Sequence, residues 1–188
     1  TKIKMNFISI ALIIFVLALF TIMITRYDVL RDESNCTTGN KPYSLSRVQL
    51  AFWSLIIICA FIHLWSIEGF DPNAVSLGRT SLILLGVSAG TGILGRTIDG
   101  SEQSQVTAGT LTGRHQDTCS EGFWKDILSD QNGVSVHRFQ NVIFTLILMI
   151  SYIKSVSAGV IPDFNDTLLA LAGVSSGTYL GVKLNENK

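Results

Sequence analysis

Five stretches of this chain carry no charged residue at all: Phe7–Ile24, Val48–Ile62, Thr80–Gly95, Phe139–Ile153 and Thr167–Val182. A helix that crosses a bilayer needs roughly 20 predominantly apolar residues, fewer when flanking side chains snorkel to the interface. Neutral or singly charged flanks bring all five runs near that length. The second extends over Val48–Ile67 and takes in His63, and the fourth runs past Lys154 toward Val160. Five helices without a polar face cannot form a bundle in water. The charged fraction, 15% against about 25% in ordinary soluble domains, points the same way. The expected fold is therefore all-α, with five transmembrane helices. Lys2 and Lys4 precede the first apolar run as in a signal peptide, but Thr21–Tyr27 reads TIMITRY and offers no small-x-small cleavage site. A retained span is expected there.

The last four runs contain an internal duplication. Ser44-Leu-Ser-Arg47-Val-Gln49 opens the second run and Ser135-Val-His-Arg138-Phe-Gln140 opens the fourth, at a constant offset of 91 residues that continues through Leu55/Leu146, Ile56/Ile147 and Ile62/Ile153. The third and fifth runs align at an offset of 87, with Thr80/Thr167, Leu82/Leu169, Leu84/Leu171, Gly86/Gly173, Val87/Val174, Ser88/Ser175, Gly90/Gly177 and Thr91/Thr178 identical. Chance likeness between apolar helices would match leucine and isoleucine, not arginine, glutamine, serine and glycine together. A shorter match, Asp28–Asp32 against Asp126–Asp130, leads into each copy. The organisation read from this is a first span over residues 1–26, a first repeat over 27–98, a polar loop over 99–120 and a second repeat over 121–187.

The paired pattern SLxRxQxAFW, GxSxGT, HRFQ and LLALxGxSSGTYLG, over roughly residues 43–182, resembles a group of uncharacterised bacterial polytopic membrane proteins. The resemblance implies a bacterial cell membrane and no particular activity.

Two spans per copy require both copies to sit the same way up, as parallel repeats expected to be related by an approximate two-fold along the membrane normal. Ten basic residues fall on one side: Arg26, Arg31, Lys41, Arg47, Arg96, Arg114, Lys125, Arg138, Lys183 and Lys188. Four fall on the other: Lys2, Lys4, Arg79 and Lys154. The positive-inside rule then places the first side in the cytoplasm, with the N-terminus outside and the C-terminus inside. Cys36 and Cys119 would face a reducing compartment there and stay thiols. Lys2 and Lys4 argue the other way for the first span alone.

The repeat motifs supply the candidate site residues. Arg47, Gln49, Ser88 and Thr91 in the first copy, and Arg138, Gln140, Ser175 and Thr178 in the second, should lie at similar depth on neighbouring helices and bond across them. They form either packing glue or a polar ring at the mouth of a pore. Gly86 and Gly90, and Gly173, Gly177 and Gly181, read as flat grooves for close helix packing. Phe123, Trp124, Ile127 and Leu128 share one face of a short helix expected in the membrane interface. Arg96–Ser120, rich in glycine, serine and threonine and without periodicity, reads as a flexible cytoplasmic loop.

No catalytic motif, metal-ligand spacing or cofactor signature is present, and a net charge of zero gives no support to a nucleic-acid partner. Two functions stay open: a homo-oligomeric channel or pore in the lipid bilayer, or a membrane anchor that recruits a protein through its cytoplasmic loop. Neither is an enzyme.

Overall fold

The computed structural model describes residues 6–32, 34–71, 73–113, 118–130 and 133–184. Six helices carry the fold: α1 Phe7–Tyr27, α2 Leu45–Ile67, α3 Arg79–Thr107, α4 Phe123–Leu128, α5 Val136–Ser157 and α6 Asp166–Lys183. A two-residue antiparallel hairpin, β1 Ser129–Asp130 with β2 Gly133–Val134, joins α4 to α5.

Four helices, α1, α2, α3 and α5, are long and apolar enough to cross a membrane. Their outer faces expose Phe7, Ile14, Phe15, Ile93, Ile147 and Ile150, each half or more accessible. A bilayer covers such a surface at no cost, whereas water would not tolerate so large a contiguous apolar area. These features fit a multi-pass membrane protein. The sixth helix, α6, is shorter, with 18 residues and a charge at each end, Asp166 and Lys183. Its start is capped by the Asn165 side chain, which accepts the Leu168 amide at 2.9 Å. The acid near the start and the lysine near the end both oppose the helix dipole favourably.

Local chemistry sets the helix ends. Asp28 takes a left-handed conformation and stops α1. Glycine 69 and Phe70, both at positive φ, turn the chain after α2. Ser44 and Ser135 adopt the extended N-cap conformation at the starts of α2 and α5. Their hydroxyls do not cap, however: Ser44 Oγ pairs with Ser46 Oγ at 3.3 Å, and Ser135 Oγ meets His137 Nδ1 at 2.6 Å.

The reading of residues 96–120 as a flexible loop is corrected. Helix α3 does not stop where its apolar run ends at Gly95 but continues to Thr107, burying Asp99 and Glu102 on the way. Residues after Gly95 are good enough helix formers once propagation is under way, since each further residue adds a hydrogen bond without a new nucleus.

Around the bundle the helix order is α2, α3, α6, α5, with α3 against α6 and α2 against α5, while α1 packs on α2. Contacts at both ends fix the parallel sense of α3 and α6. At one end, the head, Lys183 meets Asp99. At the far end, Arg79 meets Asp166 at 3.1 Å, and the Phe164 amide donates to Thr80 Oγ1 at 2.8 Å.

This order also corrects the expected two-fold. Rotation about the bundle axis would set α2 diagonally from α5 and α3 diagonally from α6, yet both pairs are neighbours. The copies stand side by side instead, related more nearly by a translation. Consequently the face of α2 that packs on its neighbour, including Val48 and Gln49, corresponds to a face of α5 that is left outside, including Phe139 and Gln140.

Two apolar clusters fill the interior. Between the four helices lie Trp53, Ile57, Leu84, Leu148, Tyr152 and Leu169. Ser81 on α3 bonds the Tyr152 hydroxyl at 2.7 Å, so the phenol enters this core with its polar atom satisfied. At the head end, Leu30, Leu45, Val48, Ile127, Val142 and Tyr179 form the second cluster.

Candidate functional site: a disulfide-pinned polar cleft

The head is built from the segments that lead into each repeat. Residues 30–32, after α1, pair with residues 42–44, before α2: Asp32 N donates to Pro42 O at 2.8 Å and Ser44 N to Leu30 O at 2.9 Å. Arg31 is held by Asp28 at 2.9 Å and lies over the Tyr43 ring, 4.3 Å from its centroid. The segment before α4 is gathered by one carboxylate. Asp126 accepts the Tyr43 amide at 3.0 Å, the Ser120 hydroxyl at 2.6 Å and the Glu121 amide at 3.0 Å. Asp126 thereby joins the lead-in of the second copy to that of the first.

A disulfide between Cys36 and Cys119 closes the same junction, with Cα atoms 5.1 Å apart and a sequence separation of 83. This overturns the expectation that both remain thiols. The two loops lie on one side of the bundle, and the Ser120 amide bonded to Asn40 O at 2.9 Å brings the cysteines together.

Beneath this cap lies a cleft of about 340 Å³, walled by Asp32, Tyr43, Ser44, Asp126, Ser129 and Arg138 among others, with Tyr179 and Lys183 at its base. Lys183, 2% exposed, is 2.9 Å from Asp99 Oδ1 and 3.8 Å from Asp32 Oδ2. Asp32 in turn stands 3.9 Å from Arg47. Buried charges of this kind are kept only where partners replace lost hydration. Here α6, α3, the segment before α2 and α2 itself each contribute one member, so the network ties four separate elements into one head. Arg138, also buried, lies 5.4 Å from the centroid of the Tyr179 ring.

The predicted polar set is only partly gathered. Gln49 is buried, but its amide donates to Asn141 Oδ1 at 2.9 Å and Thr145 Oγ1 at 2.7 Å on α5, not to Ser88 or Thr91. Its repeat partner Gln140 is exposed. Ser88 shares a cavity of about 10 Å³ with Gln49, Asn141 and Thr145. Thr91 is buried and bonds its own helix at Val87 O. In the second copy Ser175 is buried, while Thr178 is exposed and bonds Val174 O of its own helix. Arg47 is half-buried, Arg138 buried. Side-by-side copies turn equivalent residues toward different neighbours, which is why the ring does not close.

The glycine reading is corrected as well. A Cβ added at Gly86, Gly90, Gly173, Gly177 or Gly181 would meet nothing within 4 Å, so none of them lies at a close helix contact within this chain. Within the helices, the glycines that do have a neighbour are Gly92, facing Leu50 at 3.6 Å, and Gly95, facing Ser46 Oγ at 3.6 Å. On α4, Ile127 is buried and Phe123 and Leu128 pack into the head cluster, with Phe123 edge-on to Tyr43 at 5.1 Å; Trp124 stays 61% exposed. The short helix is present, and three of its four marked residues face protein.

Asp32, Asp99, Glu102, Asn141, Tyr179 and Lys183 escaped the sequence reading. A usable signal existed for Lys183, which extends the offset of 87 to Arg96 as its partner. Among the described residues no group of three histidine, cysteine or acidic side chains is placed to hold a metal. No protein family, curated protein or solved structure matches the chain.

Proposed function

We propose that this chain is a non-enzymatic multi-pass membrane protein that presents a polar recognition cleft on the oxidising side of the membrane. The observation that carries this reading is the Cys36–Cys119 disulfide, which pins the roof of the cleft. Disulfides persist in extracytoplasmic compartments and are rare in the cytosol. The head is therefore assigned to the outside, opposite to the positive-inside count. That count weakens here because several head cations are committed to partners within the fold: Arg31 to Asp28, Arg47 to Asp32, Lys125 to Glu121 and Lys183 to Asp99. Lys2 and Lys4, before α1, favour the same orientation, and the first helix usually dominates topology.

Helix α6 serves as the fifth span in this arrangement. Its 18 residues reach about 27 Å at 1.5 Å per residue, close to the hydrocarbon thickness of a bilayer. Packing on α3 and α5 relieves it of the lipid-grade hydropathy that a solitary span needs. The membrane anchor of the two expected functions is thus retained, with its recognition surface moved to the other side. Charges of both signs line the cleft, Arg138 with Asp126 and Asp130 among them, which suits a ligand or partner segment bearing both signs.

The test has two arms. A Thr110→Cys variant in intact cells should react with a membrane-impermeant maleimide; reaction only after permeabilisation would place the head inside and remove the basis of the reading. Purified protein should be stabilised by a zwitterionic member of an amino-acid and short-peptide panel, and the Arg138→Gln variant should not. No thermal shift across the panel would count against a recognition cleft.

A second reading, a homo-oligomer with a pore between copies, draws on Gln140 and Thr178, polar side chains on the outer faces of α5 and α6. Within one chain the axis is filled by Trp53, Leu84, Leu148 and Tyr152, so a water path would have to lie between chains. Oligomer mass in detergent followed by bilayer conductance tests it; a monomer without conductance would exclude it.

A further inference from the structure

Copies that stand side by side meet through unlike faces, so each face used inside the molecule recurs, uncovered, on the other copy. Thr80 and Leu84 of α3 lie under the second copy. The Thr80 hydroxyl oxygen accepts the Phe164 amide, and Leu84 packs with Leu148, Tyr152 and Leu169. Their counterparts at the offset of 87, Thr167 and Leu171, are exposed, Leu171 to 38% against 2% for Leu84. Thr91 is buried and its counterpart Thr178 exposed. Helix α6 therefore shows to the outside the face by which α3 packs.

The opposite flank carries the other half of that contact. A largely apolar groove of about 780 Å³ runs between α1, α2 and α3, where α3 contributes Ala89, Gly92 and Ile93. The same positions in α6 are Ser176, Tyr179 and Leu180, which face inward: the first two are buried and the third half-buried. Ser176 shares a small cavity with Leu84, Val87 and Ser88 of α3. On α2 the groove is walled by Ala51, Ser54, Leu55 and Ile58, which correspond at the offset of 91 to Val142, Thr145, Leu146 and Met149. Those four residues of α5 border α2 within the molecule. The groove thus repeats the surface on which α2 and α3 pack. Helix α1 takes the place of α2 there, with Phe20 edge-on to Phe52 at 5.8 Å. Among the described residues, no helix takes the place of α3.

We propose that the chain associates head to tail with a second copy of itself, α6 of one molecule entering the α1–α2–α3 groove of the next. The entering helix lies beside α3 as α3 lies beside α6 within each chain. Because α3 and α6 run parallel, the two molecules sit the same way up, as identical chains in one membrane do. The contact continues an interface that already exists inside the molecule, which is why a second copy fits it. Threonine and other small residues let the helices approach closely. Such a contact is heterologous and repeats from molecule to molecule until it closes into a ring. It rests on neither the head cleft nor conduction.

Crosslinking tests it. Arg79 stands level with Asp166 and Asp99 with Lys183, and the same level between molecules brings Ile93 of the groove opposite Thr178 of the entering helix. Full-length chains with Cys59→Ser and either Ile93→Cys or Thr178→Cys are reconstituted in phosphatidylcholine vesicles and treated with a short bis-maleimide. A band at dimer mass should form when the two are mixed and not from either alone. One chain carrying both cysteines should give a ladder. Pairing Thr178→Cys with Ile22→Cys, an exposed position of α1 outside the groove, measures random collision. Ala89→Phe in the Ile93→Cys chain fills the groove beside α3 and should abolish the mixed band. Gly177→Leu in the Thr178→Cys chain enlarges the entering face; it should do the same and serves if Ala89→Phe does not fold. A dimer from Thr178→Cys alone would show a face-to-face contact instead. That result, a mixed yield no higher than the Ile22→Cys control, or a yield unchanged by the two bulky substitutions would each overturn the proposal. The readout is contact between chains, so a failed recognition cleft or an absent conductance leaves it untouched.

Discussion

In the first copy Arg47 and Arg96 line a largely apolar groove, whereas in the second copy Arg138 and Lys183 line a polar cleft closed by a disulfide. Gln49 is buried and bonded to α5, whereas Gln140 stands outside. The residues correspond, and their surroundings do not. A translation-like relation between copies produces this difference. Each copy turns one face toward what precedes it, α1 for the first copy and the first copy for the second, and only the first copy has a successor to cover its other face. Rotational pairing would have given both copies the same neighbours.

The largest test of that contrast compares Lys183→Met with Arg96→Met. Removing Lys183 leaves Asp99 buried without its cation, and breaking a buried pair in this way costs about 3–5 kcal/mol. Arg96 is exposed, so its replacement should change stability by no more than about 0.5 kcal/mol. Denaturant unfolding in delipidated detergent solution measures both. Equal effects would show that the two positions are equivalent after all.

Next in size is the tie between the two lead-in segments. Replacing Cys36 and Cys119 together by serine should cost about 2–4 kcal/mol, because an 83-residue separation leaves a long loop to be ordered without the crosslink. Loss should concentrate in the head. Limited proteolysis near Thr110 is expected to accelerate while the helix content read by circular dichroism is kept. Unchanged proteolysis would mean that Asp126 and the Asn40–Ser120 contact suffice.

A smaller effect separates the glutamines. Gln49→Leu strands the Asn141 carbonyl in the interior and should cost about 1–2 kcal/mol, since a lost membrane-protein hydrogen bond is modest but a buried acceptor without its donor costs more. Gln140→Leu should be neutral or slightly stabilising in detergent. A matching loss at Gln140 would point to a partner copy covering that face.

The smallest expected effect is at Gly177. Its open surroundings predict that Gly177→Leu shifts the stability of the single chain by no more than about 0.5 kcal/mol. Light scattering on the same samples sharpens the result. A change in mass with no change in fold would assign the glycine face to association between copies.

Much of this molecule was legible beforehand because the signals are local. A charge-free run reports its own need for lipid, and the helices α1, α2, α3, α5 and α6 lie where the five runs are. The duplication was visible because residues such as Arg47/Arg138 and Gly90/Gly177 recur at fixed spacing. The short helix α4 announced itself through Phe123, Trp124, Ile127 and Leu128 on one face. The extension of α3 past Gly95 was missed because a polar, glycine-containing segment has little helix signal of its own, and it gains order only from a helix already formed beside it.

The amino-acid sequence by itself determined that helices form, roughly where each apolar run begins and ends, and that residues of two helix pairs recur at fixed offsets. Only the tertiary structure decided which way each helix faces and what the repeated residues touch. Hydrophobicity records how much surface must leave water and carries no information about which neighbour covers it. Gln49 and Gln140 therefore read alike, and so do Arg96 and Lys183. Cys36 finds Cys119 across 83 residues, and Lys183 finds Asp99, through the packing of separate elements. Those pairings are properties of helix order around the bundle, and that order is settled by the sum of all contacts rather than by any one segment.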